Sequence, residues 1–229
     1  DGDDPARSRG YDALMQLLYA GVHSGDLGSM MGLGKSLLAS AVLGILPDNA
    51  TVKVHIHYKG QELTARQQEK LRGRKIALVP QSVAYLDPLM RVGAQVDGDI
   101  KPKPVDRRSR LFERFGLPQH TGKLYPFQLS GGMARRVLVS TALITEAELI
   151  IADEPTPGMS LEQALEALRM FRELADEGRA VILITHDIDL AFEFADRVAV
   201  FYAGTTVETA PAADFKTGPE ALRHPYSKA

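Results

Sequence analysis

Residues 32–36 read Gly-Leu-Gly-Lys-Ser, a combination of residue types that together can bind phosphate. Glycines let backbone N–H groups approach an anion closely, a lysine supplies positive charge, and a serine hydroxyl can bind a divalent cation. Because an apolar segment of helical character follows at residues 36–45, we predict a phosphate-binding loop that leads into a helix. The full pattern G-x-x-x-x-G-K-[ST] would place glycine where this chain has Ser29. On this segment alone, a glycine-rich turn without a ligand stays an alternative.

Two adjacent acids, Asp153 and Glu154, follow the apolar residues 149–152. Neighbouring carboxylates at the tip of a strand are unfavourable unless they serve a cation or a water molecule. Asp153 is the candidate for holding Mg²⁺ through water, and Glu154 is the candidate for polarising an attacking water molecule. The alternative is that both acids only cap the helix that follows.

Three further polar positions lie at the end of a strand or the start of a helix. Gln81 follows the apolar residues 75–80, which end at a proline, and His186 follows the apolar residues 180–185. Ser130-Gly131-Gly132 precedes a segment of helical character, and on its own it could be only a helix start.

The segments that carry these residues alternate between strand and helix character. Such alternation predicts a parallel sheet with helical crossovers, and ligands of such sheets bind beyond the carboxyl ends of the strands. Residues 51–58 alternate apolar with polar side chains and predict an antiparallel flank. Residues 92–125 are rich in charge, proline and glycine and predict an inserted helical subdomain, and residues 197–202 and 205–208 predict two more strands.

The composition is that of an ordinary globular protein: of 229 residues, 45% are hydrophobic and 24% are charged. The net charge of −2 provides no field to hold nucleic acid. The lack of cysteine excludes disulfides, thiolate zinc sites and iron–sulfur clusters, which fits the cytoplasm. No run of 18 apolar residues occurs and the first ten residues are polar, so we expect another subunit to provide any membrane anchor.

In their order along the chain, these motifs resemble those of the ATP-hydrolysing subunits of ABC transporters. Leu129-Ser130-Gly131-Gly132-Met133 is similar to the family's signature sequence, Gln81 to its glutamine loop, and His186 to its switch histidine. The resemblance runs from about Gly32 to the last residue. It implies a P-loop NTPase-type α/β fold with a parallel sheet core, an antiparallel β flank and an inserted α-helical subdomain.

The resemblance also implies a site that two subunits share, with ATP and Mg²⁺ as cofactors. Catalysis would rest on Glu154, His186 and Gln81, and the metal would be held by Ser36, Gln81 and Asp153. On one subunit ATP would be bound by Met31, Gly32, Leu33, Gly34, Lys35, Ser36 and Leu37. On the other subunit Ser130, Gly131 and Gly132 would contact the γ-phosphate.

A single ABC ATPase domain is expected over residues 1–229, with its core at about 1–91 and 146–229 and the helical subdomain at about 92–145. Leu86-Asp87-Pro88, Tyr125-Pro126-Phe127-Gln128 and His224-Pro225-Tyr226 resemble importers for oligopeptides, dipeptides and nickel. This implies an ATP hydrolase that energises an importer of peptides or of nickel and metal chelates. Members of that group usually continue into a C-terminal extension after the last of these motifs.

The resemblance further implies a homodimer or a heterodimer with a related ATPase subunit. The pair would bind two transmembrane permease subunits at the cytoplasmic face of the inner (cell) membrane, and through them an external substrate-binding protein. No nucleic acid partner is expected.

Some positions depart from the family pattern. Besides Ser29, Ser160 stands where the family usually has an aspartate that crosses the dimer interface, so coupling between the two sites is expected to change. Tyr11 and Tyr19 are the candidates for stacking on adenine, although either could be a core tyrosine. Two alternatives stay open: a degenerate nucleotide-binding partner of an active cassette, and a soluble ABC ATPase without a transporter.

Overall fold

The computed structural model describes residues 33–46, 56–202 and 205–228. In chain order the helices are α1 (Leu33–Leu43), α2 (Ala65–Leu71), α3 (Val92–Asp97), α4 (Val105–Arg114), α5 (Gly131–Leu143), α6 (Leu161–Asp176), α7 (Ile188–Phe194), α8 (Ala212–Thr217) and α9 (Pro225–Lys228). The strands are β1 (His57–Tyr58), β2 (Gln61–Glu62), β3 (Ile76–Val79), β4 (Leu149–Asp153), β5 (Ala180–Ile184), β6 (Arg197–Tyr202) and β7 (Thr205–Pro211).

The chain divides into two compact units, one formed by Asp1–Leu71 with Ile184–Ala229 and the other by Arg72–Leu183. None of the helices within residues 33–46, 56–202 and 205–228 has both the length and the apolar character that a bilayer-spanning segment requires.

A sheet in the order β3-β4-β5 organises the second unit. Strands β3 and β4 are parallel, with Ile76 opposite Leu149 and Val79 opposite Ala152. Every residue of β4 is buried, which explains why its first four residues, 149–152, form a continuous apolar run rather than an alternating pattern. Since β3 and β4 run in the same direction, their carboxyl ends lie at one edge of the sheet, as the sequence predicts.

Helices α3, α4 and α5 lie between β3 and β4 in the chain. They share a buried apolar core to which Val92, Phe112 and Val137 contribute, and the buried carboxylate of Asp97 pairs with Arg108 of α4. Helix α4 is joined to α6 by Arg114, which donates hydrogen bonds to Glu166 at 2.8 Å and to Glu173 at 2.7 Å. Burial of apolar side chains and these ion pairs therefore hold the helices of this unit together.

Among its described residues, the first unit contains two antiparallel strand pairs, β1 with β2 and β6 with β7. Of the flank predicted at residues 51–58, only residues 56–58 are among those described. Helix α1 begins at Leu33 and ends at Leu43, before Gly44 with a φ of +63°. Glycine adopts this left-handed conformation readily, and a Cβ at Gly44 would approach Gln68 Oε1 to 2.8 Å. The helix therefore ends two residues earlier than the apolar pattern predicts.

Candidate functional site

The two acids predicted to serve a cation and a water molecule lie at the carboxyl end of β4. Asp153 is the last residue of the strand and is 5% exposed, and Glu154 follows it and is 8% exposed. Glu154 has a φ of +47°, a left-handed conformation that is rare for a residue with a side chain. Backbone strain of this kind persists only where the surrounding structure imposes it, and it concentrates at functional sites.

Gln81 lies at the same edge of the sheet as the two acids. Because Val79 is opposite Ala152 in the parallel register, the residues that follow β3 and β4 leave the sheet side by side. Gln81 is exposed, in contrast to Asp153 and Glu154. The edge therefore combines two buried carboxylates with an accessible amide that can donate or accept a hydrogen bond.

Arg135 of α5 is a residue of this edge that the sequence alone does not reveal. Its side chain is buried, and its guanidinium donates to the carbonyl oxygens of Pro80 at 3.1 Å and Gln81 at 2.6 Å and to that of Glu154. Burial lowers the pKa of Arg135, while the nearby carboxylates of Glu154 and Asp153 oppose that change. The only signal in the sequence is a charged residue inside a mostly apolar helix.

Ser130 begins α5 as its N-cap, and its Oγ accepts a hydrogen bond from the Met133 amide at 3.3 Å. Ser130 and Gly131 are exposed, and a Cβ built at Gly131 would meet no described atom within 4 Å. Within the described residues, the start of this 13-residue helix is therefore accessible, and a helix N-terminus is a position that binds anions in other proteins.

The loop between β4 and α6 passes close to this helix start. A Cβ at Gly132 would lie 3.2 Å from the carbonyl oxygen of Gly158. Ser160 is the N-cap of α6: its Oγ accepts from the Gln163 amide, and the Gln163 side chain accepts from the Ser160 amide, both at 3.3 Å. This reciprocal pair is a capping box, so Ser160 has a local structural role besides the interface position predicted for it.

The remaining predicted site residues belong to the first unit or lie outside the described residues. Leu33, Gly34, Lys35, Ser36 and Leu37 form the start of α1, where the backbone alone is described. His186 is exposed in the bend after β5. Met31 and Gly32 lie outside the described residues, as do Tyr11, Tyr19 and Ser29.

The donor set at the β4 edge fits a phosphate-bound Mg²⁺ better than a metal held by protein alone. Within the described part of the chain, no three His, Cys, Asp or Glu side chains come close enough to form a metal site. Magnesium in nucleotide enzymes is usually held by one or two carboxylates, with waters and substrate phosphates completing its octahedron. Asp153 can supply that carboxylate, and Gln81 can supply an amide oxygen.

Comparison with known proteins matches residues 25–157 to the ABC transporter family model. The chain is 33% identical to the dipeptide transport ATP-binding protein DppD of Escherichia coli (strain K12), covering 100% of this chain and 73% of that protein. It is 35% identical to the oligopeptide transport ATP-binding protein OppD of Lactococcus lactis subsp. cremoris (strain SK11), covering 86% and 62%.

Among solved structures, the dimeric bacterial ABC transporter cassette MJ0796 matches with a TM-score of 0.69 at 23% identity, covering 79% of this chain and 82% of that chain. The same cassette in a post-hydrolysis state bound to ADP and Pi matches with a TM-score of 0.65, also at 23% identity and over the same shares. This likeness confirms the predicted fold class.

Proposed function

Because the chain belongs to the ABC transporter family, whose members bind ATP, we propose that it hydrolyses ATP to energise an importer of peptides. The observation that carries this proposal is the pair of buried carboxylates, Asp153 and Glu154, at the sheet edge beside Gln81. A peptide cargo is favoured because the relatives described above are dipeptide and oligopeptide transport proteins. Nickel or metal chelates stay a prediction from the sequence motifs.

Each residue of the site has a distinct chemical role in this proposal. Glu154 accepts a hydrogen bond from the attacking water and orients it toward the γ-phosphate. Asp153, Gln81 and Ser36 are the residues that would hold Mg²⁺, and the metal would supply positive charge to offset the charge that develops on the β- and γ-phosphates. The phosphates of ATP are bound by the Lys35 side chain and by backbone N–H groups of Met31, Gly32, Leu33, Gly34, Ser36 and Leu37. His186 forms a hydrogen bond to the γ-phosphate and senses its loss.

We propose that Ser130, Gly131 and Gly132 contact ATP held by a second subunit. The exposed start of α5 supports this, because Ser130 and Gly131 are accessible and no described atom lies within 4 Å of a Cβ built at Gly131. A site divided in this way is complete only when two subunits close on ATP. Loss of the γ-phosphate removes the shared ligand, so the subunits part and can move the membrane subunits. The second subunit is another copy of this chain or a related ATPase.

The loop after Gln81 is the proposed docking surface for the membrane subunits. It displays four exposed apolar side chains, among them Tyr85 at 70% and Leu89 at 86% exposure, the others being Val83 and Met90. Exposed apolar groups clustered along one loop are typical of a protein interaction surface. Gln95 of α3 fixes this loop, since its side-chain Nε2 donates to the carbonyls of Asp87 at 2.9 Å and Met90 at 2.8 Å.

These assignments imply a peripheral position at the cytoplasmic face of the cell membrane, with two permease subunits and, through them, an external binding protein. The domain organisation, with a core at about 1–91 and 146–229 and a helical subdomain at about 92–145, stays a prediction from the sequence.

The direct test is magnesium-dependent ATP binding and hydrolysis by the purified chain at several protein concentrations, with Lys35→Ala as the comparison. We expect specific activity to rise with protein concentration as the chain dimerises, and to be lost in Lys35→Ala. Binding without hydrolysis by the wild type would instead support the degenerate-partner alternative, which Ser29 and Ser160 favour. An absence of both binding and hydrolysis would contradict the proposal.

A further inference from the structure

Arg135 joins the two halves of the sheet edge that carry the proposed catalytic groups. Its guanidinium donates to the carbonyls of Pro80 and Gln81, which follow β3, and to the carbonyl of Glu154, which follows β4. The arginine lies 54 residues from Gln81 and 19 from Glu154 in the chain. The pairing of β3 with β4 ends at Val79 and Ala152. Past that point, the Arg135 side chain connects the segment that follows β3 to the segment that follows β4.

We propose that Arg135 is a positioning residue that fixes Glu154 and Gln81 in register for ATP hydrolysis, an inference that rests on the proposed ATPase function. Arg135 does not need to touch the nucleotide, because it acts through the backbone of the two residues it holds.

The backbone at Glu154 explains why such a residue is needed. Its φ of +47° is unfavourable for a side chain with a Cβ, so the conformation must be imposed by neighbouring groups. A hydrogen bond from a charged guanidinium to the Glu154 carbonyl is stronger than one from a neutral donor. The carboxylate of Glu154 is thereby directed by a turn that Arg135 holds in place.

The geometry of guanidinium is well suited to this task. Its planar fork presents several N–H groups in fixed directions, so one group can bind three carbonyls that converge from two strands. The nearby carboxyl groups of Glu154 and Asp153 oppose the effect of desolvation on the pKa of Arg135. A lysine at this position would retain the charge but not the fork.

The adjacent Arg136 provides a matched control. It too donates to three backbone carbonyls, those of Phe115, Gly116 and Gly132, but to none at the ends of β3 or β4. Replacing either arginine by methionine removes a comparable set of bonds from the same helix. Because Gly132 belongs to the proposed ATP-contacting segment, Arg136→Met serves as the control for stability and for hydrogen exchange, and not for turnover.

The kinetic test compares Arg135→Met and Arg135→Lys with the wild type. For Arg135→Met we expect kcat to fall by about 10- to 100-fold while KM for ATP changes less than about threefold, because misplacement affects the chemical step. Arg135→Lys should recover part of kcat. Arg107→Met, which removes a bond from α4 to the Ile144 carbonyl, should stay within about twofold of wild-type kcat. An Arg135→Met enzyme with unchanged kcat, or with KM for ATP changed as strongly as kcat, would overturn the proposal.

Amide hydrogen exchange tests the same proposal without ATP turnover. Peptides that cover residues 79–85 and 152–157 should exchange faster in Arg135→Lys and Arg135→Met than in the wild type, and Arg136→Met should leave both unchanged. Equal exchange in all variants would overturn the positioning role even if the chain is an active ATPase. An inactive wild type with the expected exchange pattern would instead contradict the proposed function while supporting the registration by Arg135.

Discussion

At the scale of single residues, Glu154 and Ser160 show how the loop between β4 and α6 is constrained at both ends. Glu154 is buried with a left-handed backbone, and Ser160 closes a capping box with Gln163. Between them the chain must turn within five residues, two of which are proline. The backbone of this loop therefore fixes the positions of the Glu154 carboxylate and the Ser160 hydroxyl. Substitutions that preserve the backbone can test the chemical roles of these two groups.

Glu154→Gln is the first such substitution. The amide has nearly the same shape as the carboxylate, so we expect ATP binding to be retained while turnover falls by about 100-fold or more, since a general base contributes 10²–10⁴. Phosphate release and nucleotide binding measured on the same sample check this. Glu162→Gln, at an exposed position of α6, is the control and should have wild-type turnover. Wild-type turnover in Glu154→Gln would contradict the role of Glu154.

The role of Ser160 as the N-cap of α6 can be tested by substitutions that keep or remove the capping group. Aspartate caps helices as well as serine does and favours a helix N-terminus, so Ser160→Asp should keep the free energy of unfolding within about 0.5 kcal/mol of wild type. Ser160→Ala should lower it by about 1 kcal/mol because the capping bond is lost. Urea unfolding of the wild type, Ser160→Asp and Ser160→Ala measures these two differences in the free energy of unfolding. Equal stability of Ser160→Ala and wild type would show that the cap contributes nothing.

At the scale of elements, the contact between α4 and α6 depends on charge rather than on apolar packing alone. Arg114 on α4 bonds two acids on α6, Glu166 and Glu173, through both of its terminal nitrogens. Hydrogen bonding to Glu173 raises the pKa of Arg114, and the Arg114 bond in turn lowers the pKa of Glu173 below its ordinary value of 4.5. The cluster is partly exposed, so solvent weakens it.

This arrangement predicts a pH-dependent contribution of Arg114 to stability. Because the folded-state pKa of Glu173 lies below 4.5, its stabilisation is present above that pH and is lost as pH falls through the lowered pKa. Arg114→Met should reduce the free energy of unfolding by about 1 kcal/mol at pH 7, and the difference from wild type should shrink below about pH 4.5. Urea unfolding at several pH values measures it.

Arg169→Met is the control for that experiment, since Arg169 is 4.0 Å from Glu166 and largely exposed. We expect its effect at pH 7 to be smaller than that of Arg114→Met. A difference between Arg114→Met and wild type that stays constant down to pH 3 would contradict the assigned role of Glu173.

At the scale of the whole molecule, the proposed site requires two chains, because the α5 N-terminus would complete the site of its partner. Gly131→Asp tests whether the α5 N-terminus contributes to the ATP site of the partner subunit. An aspartate in the first turn of a helix favours folding, yet its negative charge would repel the γ-phosphate. Lys35→Ala removes the complementary half of the site without touching α5.

Each of these two variants should be inactive alone, while an equal mixture should recover activity. Random pairing gives half mixed dimers, each with one intact site, so we expect up to about a quarter of wild-type activity in a symmetric two-site dimer. A steady-state assay of the mixture against each variant alone measures the recovery. If the two variants exchange subunits and the mixture still shows no ATPase activity, the proposal that two subunits share each site and that one intact site is active would be contradicted.

Local sequence patterns were sufficient to predict several strands, their shared edge and the family of this protein. Apolar runs of strand length predicted β3, β4 and β5, and the polar residues after them predicted a common sheet edge, because parallel strands must end together. The order of the motifs predicted the ABC transporter family, which the comparisons confirm.

The contacts that stabilise this edge of the sheet could not be predicted from the sequence. Arg135 is buried against the carbonyls of Pro80, Gln81 and Glu154, which are distant from it in the chain. One of these residues, Glu154, has a left-handed backbone. Hydrophobic periodicity reports which face of an element is buried, but it does not report which distant carbonyls a buried charge will meet. That choice depends on the packing of α5 against the ends of β3 and β4, since a desolvated guanidinium is stable only where acceptors converge on it.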